Sequence, residues 1–228
     1  MGEFTFVVEK TCPICGESTR IVKTKSKLMM EKMDEDFCMH YKNFNPYFYK
    51  IWFCEHCGYA ADEKTFLGTM PTMHKRKIEE FLSKRQLGMQ FVEERTVPDA
   101  VASFKLAIFY AELTDQQLAK RAGLYLELAW IYRDAGESDK EYEMLQRAAE
   151  LYDKSLMTER YPINGMSDTM AMYLIGAIYY RMSDYEKATQ YISRIIGDQN
   201  IRINDIKLYR RAQDLWQIIR ERKSSAEE

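Results

Sequence analysis

Residues 11–17 read TCPICGE and residues 53–60 read FCEHCGYA. Each stretch holds two cysteines with two residues between them and a glycine directly after: Cys12, Cys15 and Gly16, then Cys54, Cys57 and Gly58. Two intervening residues let one tight turn present both sulfurs to one ion. Glycine supplies the left-handed backbone such a turn often needs. Four thiolates in a tetrahedron suit zinc. The spacing therefore predicts a closed, structural Zn2+ site on Cys12, Cys15, Cys54 and Cys57. The long gap between the pairs reads as the sheet that joins the two turns. A closed site leaves no position for a reacting water, so zinc catalysis is not expected. Its role would be to hold a small domain whose core is thin on its own. The competing readings are redox dithiols and inert buried cysteines. Against the first, neither pair opens a helix after a thioredoxin-like strand.

The fifth cysteine, Cys38, stands in DFCMHY with His40 two positions on. If this stretch is a strand, both side chains share a side. They could form a second partial metal site, or a thiol with a base, but a pair of this kind is a weak signal. The plainer reading is a buried structural cysteine. His56 lies inside the second turn and is expected to face solvent. His74 sits at a helix start and reads as exposed surface.

Of the 228 residues, 46% are hydrophobic and 13% aromatic, enough for a real core, and the net charge is −2. That charge argues against nucleic-acid binding by bulk electrostatics. No apolar run reaches the length of a membrane span. The opening MGEFTFVVEK lacks the pattern of an export signal, and the expectation is a cytoplasmic chain without a membrane partner.

The chain changes character near residues 66–73, where LGTMPTM carries a glycine and a proline. Before it, FTFVVE, STRIVKTK and PYFYKIWF read as strands. In the last of these, Tyr47, Tyr49, Ile51 and Phe53 alternate with Phe48 and Trp52. NFNPYFYKIW could be an aromatic ligand surface, but Asn45-Pro46 reads more simply as a turn feeding a packed strand. From about residue 74 the apolar spacing is helical nearly to the end. The expected fold class is α+β. A small β-rich, zinc-ribbon-like domain spans 1–68 and an all-α helical-hairpin domain spans 74–223. Within the latter, 206–223 forms a capping helix, and 224–228 is a frayed tail.

Three strings align in the helical part: LGMQF at 87–91, LAWIY at 128–132 and IGAIY at 175–179. Small residues recur twelve positions after the small residue of the first and third strings, at Ala100 and Ala188, while Glu141 breaks the rule in the second. This resembles the tetratricopeptide pattern, in which a small residue marks the close crossing of two helices. The strings are spaced more widely than that repeat's period of about 34 residues. Stacked helical hairpins are therefore expected rather than the regular superhelix. An irregular helical bundle is the plainer alternative. In the tetratricopeptide register, the groove-facing positions are Arg85 and Met89, then Leu126, Trp130 and Arg133, then Tyr173, Ala177, Tyr180 and Arg181. Arginine forks grip carboxylates and aromatics supply rigid contact area, so such a groove suits an acidic peptide or protein partner. Solvated surface arginines are the bland counterpart.

TCPICGE, DFCMHYKNFNPYFYKIWFCEHCGYAA and the helical segment after them resemble the bacterial family known as domain of unknown function 2225. The carrying features are the Cys-Pro-x-Cys-Gly turn, the Asp-Phe-Cys stretch, Asn45, Pro46 and Tyr49, and the Cys-x-x-Cys-Gly-Tyr-Ala ending. The resemblance covers most of the chain. It implies a bacterial cytoplasmic protein with a metal-binding head and a tetratricopeptide-like second half, and it implies no activity.

The leading functional expectation is a non-catalytic interaction adaptor or regulator. A zinc-ribbon nucleic-acid binder is the alternative. RIVKTKSK, 20–27, has four basic residues and no acid, and 194–223 holds eight basic against four acidic. The first 68 residues, however, hold nine basic and ten acidic side chains, so the head is not a basic module. A thiol-based redox sensor or enzyme, through Cys38 and His40 or labile zinc thiolates, is the third. No Gly-rich phosphate loop or nucleophile elbow supports it.

Overall fold

A computed structural model describes residues 2–84 and 90–226, the last two by backbone alone. The protein is α+β: antiparallel strand pairs come first and helices follow. Two compact units are present. The first comprises Met1–Met33, Met39–Gln116 and Trp130–Glu137; the second comprises Asp34–Cys38, Gln117–Ala129 and Ser138–Glu228. These units are assembled from interleaved segments and do not follow the 1–68 and 74–223 division.

In the first unit, β1 (Thr5–Thr11) pairs antiparallel with β2 (Ser18–Thr24) in the register Thr5↔Thr24 to Thr11↔Ser18. The first cysteine turn joins them. β3 (Met30–Met33) pairs with β4 (Met39–Tyr41). β5 (Ile51–Phe53) pairs with β6 (Ala60–Asp62) around the second cysteine turn. The alternation expected over PYFYKIWF is only partly realised. Pro46–Tyr49 forms a 3-10 turn capped by the Asn45 side chain, which accepts from Tyr47 N at 2.9 Å. Proline presets the first helical φ and Asn caps it, so local turn chemistry overrides strand propensity there. Ile51, Trp52 and Phe53 are all buried, so β5 has no solvent face.

Three helices complete this unit. α1 (Glu63–Leu67) is capped by Asp62, and α2 (Thr72–Ser83) buries Ile78. α3 (Val97–Leu113) starts at Thr96, whose N and Oγ1 both donate to the Asp99 carboxylate. Its inner face, with Phe104, Ala107 and Tyr110, packs on β5 and β6. Trp52, Phe66, Tyr59 and Tyr110 meet in that order there, with ring centroids 5.3–5.8 Å apart.

α4 (Leu118–Asp134) contributes residues to both units. Its start is capped from a distance: the Glu159 carboxylate accepts from Leu118 N at 2.7 Å and Ala119 N at 3.1 Å, and Ser155 Oγ steadies it at 2.6 Å. The second unit continues with α5 (Ser138–Thr158), α6 (Asp168–Arg181), α7 (Tyr185–Gly197), α8 (Gln199–Asn204) and α9 (Ile206–Ala226). α6 is capped by Ser167 and α7 by Asp184, each side chain accepting from a backbone N–H three residues on.

α6 and α7 cross closely, as the small-residue pattern predicts. A Cβ on Gly176 would lie 2.6 Å from Ile192 Cδ1 and 3.5 Å from Ala188 O. Tyr173, Ala177, Ala188, Ile192 and Ile195 share one core with Leu208, Ala212, Leu215 and Ile219 of α9. The spacing of the last four is one helical face. α9 begins where the sequence places the capping helix. It runs on to Ala226, so most of the segment read as a frayed tail is helical. α8 is an additional short helix that the sequence reading lacks.

Candidate metal centre and its surroundings

Each cysteine turn is built in the same way. In the first, Gly16 N donates to Cys12 O at 3.0 Å and Cys12 N to Glu17 O at 2.9 Å. In the second, Gly58 N donates to Cys54 O at 2.8 Å and Cys54 N to Tyr59 O at 2.8 Å. Gly16 has φ +79° and Gly58 has φ +78°, the left-handed region that glycine adopts without steric cost. Backbone N–H groups point at the sulfurs: those of Ile14 and Cys15 at Cys12, those of His56 and Cys57 at Cys54, and that of Tyr59 at Cys57. Amide donors favour thiolate over thiol.

The two turns bring the four sulfurs together, all within 4.8 Å of one another. Cys12 Sγ is 3.7 Å from Cys57 Sγ, and Cys15 Sγ is 3.6 Å from Cys54 Sγ. Four thiolates at about 2.3 Å from one zinc ion define a tetrahedron with an edge of roughly 3.8 Å. A disulfide would need about 2.05 Å. The sulfurs thus have the spacing to hold one metal ion. Cys12 and Cys54 are buried, Cys57 is half-buried and Cys15 is exposed, so one side of the cluster faces solvent.

With protons alone to share, these sulfurs hold one another in check. Hydrogen bonds from Cys12 and Cys57 pull the Cys54 thiol well below its ordinary range. The bond with Cys12 first, then that with Cys54 and burial, push Cys57 far above it, and the bond to Cys54 first, then burial, raise Cys12 to about 12. Four thiolates this close together need a cation between them.

The strand β2 clamps the second turn. Arg20 forms a fork on Glu55, Nε to Oε1 at 3.0 Å and Nη2 to Oε2 at 2.6 Å, and this pair lowers the Glu55 carboxyl. Glu55 N donates to Thr19 Oγ1 at 3.2 Å, and His56 Nε2 meets Ser18 O at 2.9 Å. His56 is exposed, as expected, but engaged. From the other side, Tyr110 Oη of α3 donates to Gly58 O at 3.1 Å. Burial raises both the Tyr110 and Tyr59 hydroxyls above their usual range.

Arg95 is a supporting residue that the sequence reading missed. It is 8% exposed and donates from Nη1 to Phe48 O at 2.9 Å and to Ile51 O at 2.7 Å. Its guanidinium lies 4.8 Å from the Phe53 ring centre, its backbone N donates to Tyr49 Oη, and its Nε is buried without a partner. Burial pulls its pKa down to about 10. It fixes the end of the 3-10 turn and the start of β5, the strand that delivers Cys54. One arginine in a loop before a helix gives no pattern that announces this.

The remaining candidate residues are distributed as follows. Cys38 is buried in the second unit, and His40 is half-buried on β4 in the first. β4 starts at Met39, so Cys38 lies just outside the strand on which it was expected. Among the groove positions, Arg85 and Met89 lie outside the described residues. Leu126 and Ala177 are buried. Trp130 is 8% exposed with its ring 5.0 Å from Tyr47 in the first unit. Arg133 and Tyr180 are half-buried. Arg181 forms a fork with the buried Glu141, Nε to Oε1 at 2.9 Å and Nη2 to Oε2 at 3.2 Å. Glu141 breaks the small-residue rule because it meets this arginine.

Tyr173 is fully buried. Within the second unit its hydroxyl donates to Glu35 O at 3.0 Å. Arg211 of α9, not singled out by the sequence reading, donates from Nε to the Tyr173 hydroxyl at 3.2 Å and from Nη2 to Asp34 O at 3.0 Å. Its guanidinium stands 4.4 Å from the centre of the Phe37 ring, which is also 5.4 Å from the Tyr173 ring. Tyr173 and Arg211 thus hold an acidic turn, Asp34-Glu35-Asp36-Phe37, by two main-chain carbonyls and one aromatic side chain.

Among the described residues, no helix is long and apolar enough to cross a membrane. No curated protein and no solved structure matches the chain. One family model does match, over residues 7–219, and it carries the description "Uncharacterized protein conserved in bacteria (DUF2225)". With nearly its whole length and its paired cysteine turns inside that match, the chain belongs to this bacterial family.

Proposed function

We propose that the protein is a cytoplasmic, non-catalytic interaction adaptor or regulator. Its zinc-ribbon-like head carries one structural Zn2+ on Cys12, Cys15, Cys54 and Cys57. Its tetratricopeptide-like helical part binds an acidic peptide or protein partner. Four sulfur ligands at tetrahedral spacing favour zinc and fill its coordination shell. The ion then supplies a cross-link between two turns distant in sequence, and the chain's own residues do the rest. Backbone amides hold the thiolates, and Arg20, Thr19 and Tyr110 hold the second turn in place.

The observation that carries the interaction reading is the seat of Asp34–Phe37 on Tyr173 and Arg211. The helical part already grips an acidic turn of the chain there. Protein is favoured over nucleic acid because three of the four basic residues at 20–27 are engaged within the chain. Arg20 pairs with Glu55, Lys23 with Glu63 at 2.8 Å, and Lys25 with the carbonyls of Gly2 and Glu3. Arg20 and Lys23, each paired with a carboxylate, have less charge left for phosphate. The sulfur spacing likewise favours a metal centre over a redox disulfide.

The test is affinity purification with crosslinking from a bacterial host of this family, using the full zinc-loaded chain and Arg211→Ala. The reading predicts a protein partner whose crosslinks map to α6 and α9, which resists nuclease and is lost in the variant. Nucleic acid in the eluate, with binding that collapses as salt is raised, would contradict it.

A further inference from the structure

The sequence reading leaves Cys38 and His40 as a pair without a third partner, and the structure supplies one. The Asp34 carboxylate, the Cys38 Sγ and the His40 imidazole each offer a ligand atom, and these atoms all lie within 4.8 Å of one another. The three residues fall within seven consecutive positions, in the hairpin made by β3, its turn and β4. Met33 pairs with Met39, and both side chains are exposed. The next rung joins Asp34 N to Cys38 O at 2.9 Å. Successive residues of a strand point to opposite faces, so Asp34, Cys38 and His40 share the face away from those two methionines. Chain connectivity and the hairpin register alone set this arrangement.

The turn is braced to keep it. Phe37 N donates to Asp34 O at 3.1 Å, and Cys38 N donates to the buried Asp36 carboxylate at 3.3 Å. Phe37, directly before Cys38, has φ +66°, a conformation that a bulky residue keeps only where its surroundings enforce it. Those surroundings are the Tyr173 ring at 5.4 Å and the Arg211 guanidinium at 4.4 Å, and Arg211 also holds Asp34 O. Strain of this kind gathers at functional sites, and here it sets the direction in which Cys38 leaves the turn.

We propose that Asp34, Cys38 and His40 form a second metal site, separate from the four-cysteine centre, for a divalent ion of the zinc class. One carboxylate, one thiolate and one imidazole make a borderline donor set that suits zinc; magnesium and calcium want oxygen alone. A tetrahedral ion about 2.0–2.3 Å from each donor spaces the donors roughly 3.3–3.6 Å apart, a closure that side-chain rotation supplies. Three protein ligands leave a fourth position for water or another exchangeable ligand, which the four-cysteine centre lacks. With one thiolate in place of four, this site exchanges its ion while that centre keeps its own. The same three groups also fit a thiol nucleophile with its base and orienting acid. Cys38 is 3% exposed, which suits the approach of a small ion better than that of a substrate. The proposal is independent of the adaptor reading.

The test adds Co2+, a spectroscopic substitute for zinc, to the full chain with zinc already on its four cysteines. The visible and near-ultraviolet spectrum is followed together with a zinc indicator. The expected result is uptake of one further ion per chain without zinc release, with the bands of four-coordinate cobalt and a thiolate-to-cobalt charge-transfer band. Cys38→Ser should lose the charge-transfer band. Asp34→Asn and His40→Gln should each weaken uptake by at least about ten-fold, since losing even a residue that supports a ligand costs that much.

No further ion at millimolar cobalt, uptake matched by released zinc, or uptake without a thiolate band would overturn the proposal. The wild-type chain alone decides these outcomes, whether or not a variant folds. Uptake by a folded His40→Gln equal to that of wild type would overturn it too. So would alkylation of Cys38 by iodoacetamide at a rate that added metal does not slow, which would favour the nucleophile.

Discussion

Gly16 and Gly58 adopt almost the same backbone, φ +79° and +78°, each directly after the second cysteine of its pair. No atom beyond the immediate neighbours lies within 4 Å of a Cβ built on Gly16. The demand there is conformational and not one of space. Gly16→Ala should therefore destabilise the first unit by about 1–2 kcal/mol, the cost of a left-handed L-residue. Asn, which tolerates that region, should cost less. Chemical denaturation of the two variants checks this, and an alanine without effect would mean the turn does not need its glycine.

Metal release should follow acid. Each cysteine must lose a proton to bind, so protons compete with the ion as pH falls and the apparent affinity drops with it. The chain should retain metal at neutral pH and lose it on acidification in a steep step, because several protons are taken up together. A colorimetric zinc indicator followed across pH measures the step. Release as pH rises would contradict thiolate ligation.

The crossing of α6 and α7 depends on the missing side chain of Gly176. An added methyl would meet Ile192 Cδ1 at 2.6 Å and Cγ1 at 2.7 Å, and Ile192 is fully buried. Gly176→Ala should cost about 1–3 kcal/mol by overpacking. Ile192→Val in the same chain should return part of the loss. Urea unfolding of the single and double variants tests both statements; a neutral Gly176→Ala would mean the helices part easily.

Arg95 should matter more than any surface arginine. Arg95→Ala orphans the carbonyls of Phe48 and Ile51 and opens space beside Phe53, a loss of about 2–4 kcal/mol. Lysine, a single point donor, should not rescue it fully. A second readout is metal retention: if β5 is loosened, a chelator should strip the variant faster than wild type. Equal chelation rates would confine Arg95 to packing.

What could be read from the sequence was what is local. Two residues between cysteines and a glycine after them specify a turn, whatever the rest of the chain does. Gly176 with Ala188 announced a close helix crossing because both are small and the helical period links them. The resemblance carried by the cysteine turns and the Asn45-Pro46 stretch led to the family.

The rest is made by partners remote in sequence. Arg211 reaches Asp34 across 177 positions, and Glu159 caps a helix start 41 positions earlier. Neither residue has a neighbour pattern that distinguishes it from a solvated charge. Glu141 looked like a broken repeat position and is a buried ion-pair partner of Arg181. The strand expected over PYFYKIWF failed in its first half because Asn45 and Pro46 favour a capped turn, and propensity is the weaker influence.

The most direct test of the metal centre is its stoichiometry, read by native mass spectrometry and elemental analysis of the full chain purified without added metal. The account predicts one zinc per wild-type chain, lost in Cys54→Ser along with cooperative unfolding of the first unit. A metal-free wild-type chain that unfolds with the same stability after chelator treatment, or one with its cysteines joined as disulfides, would contradict it.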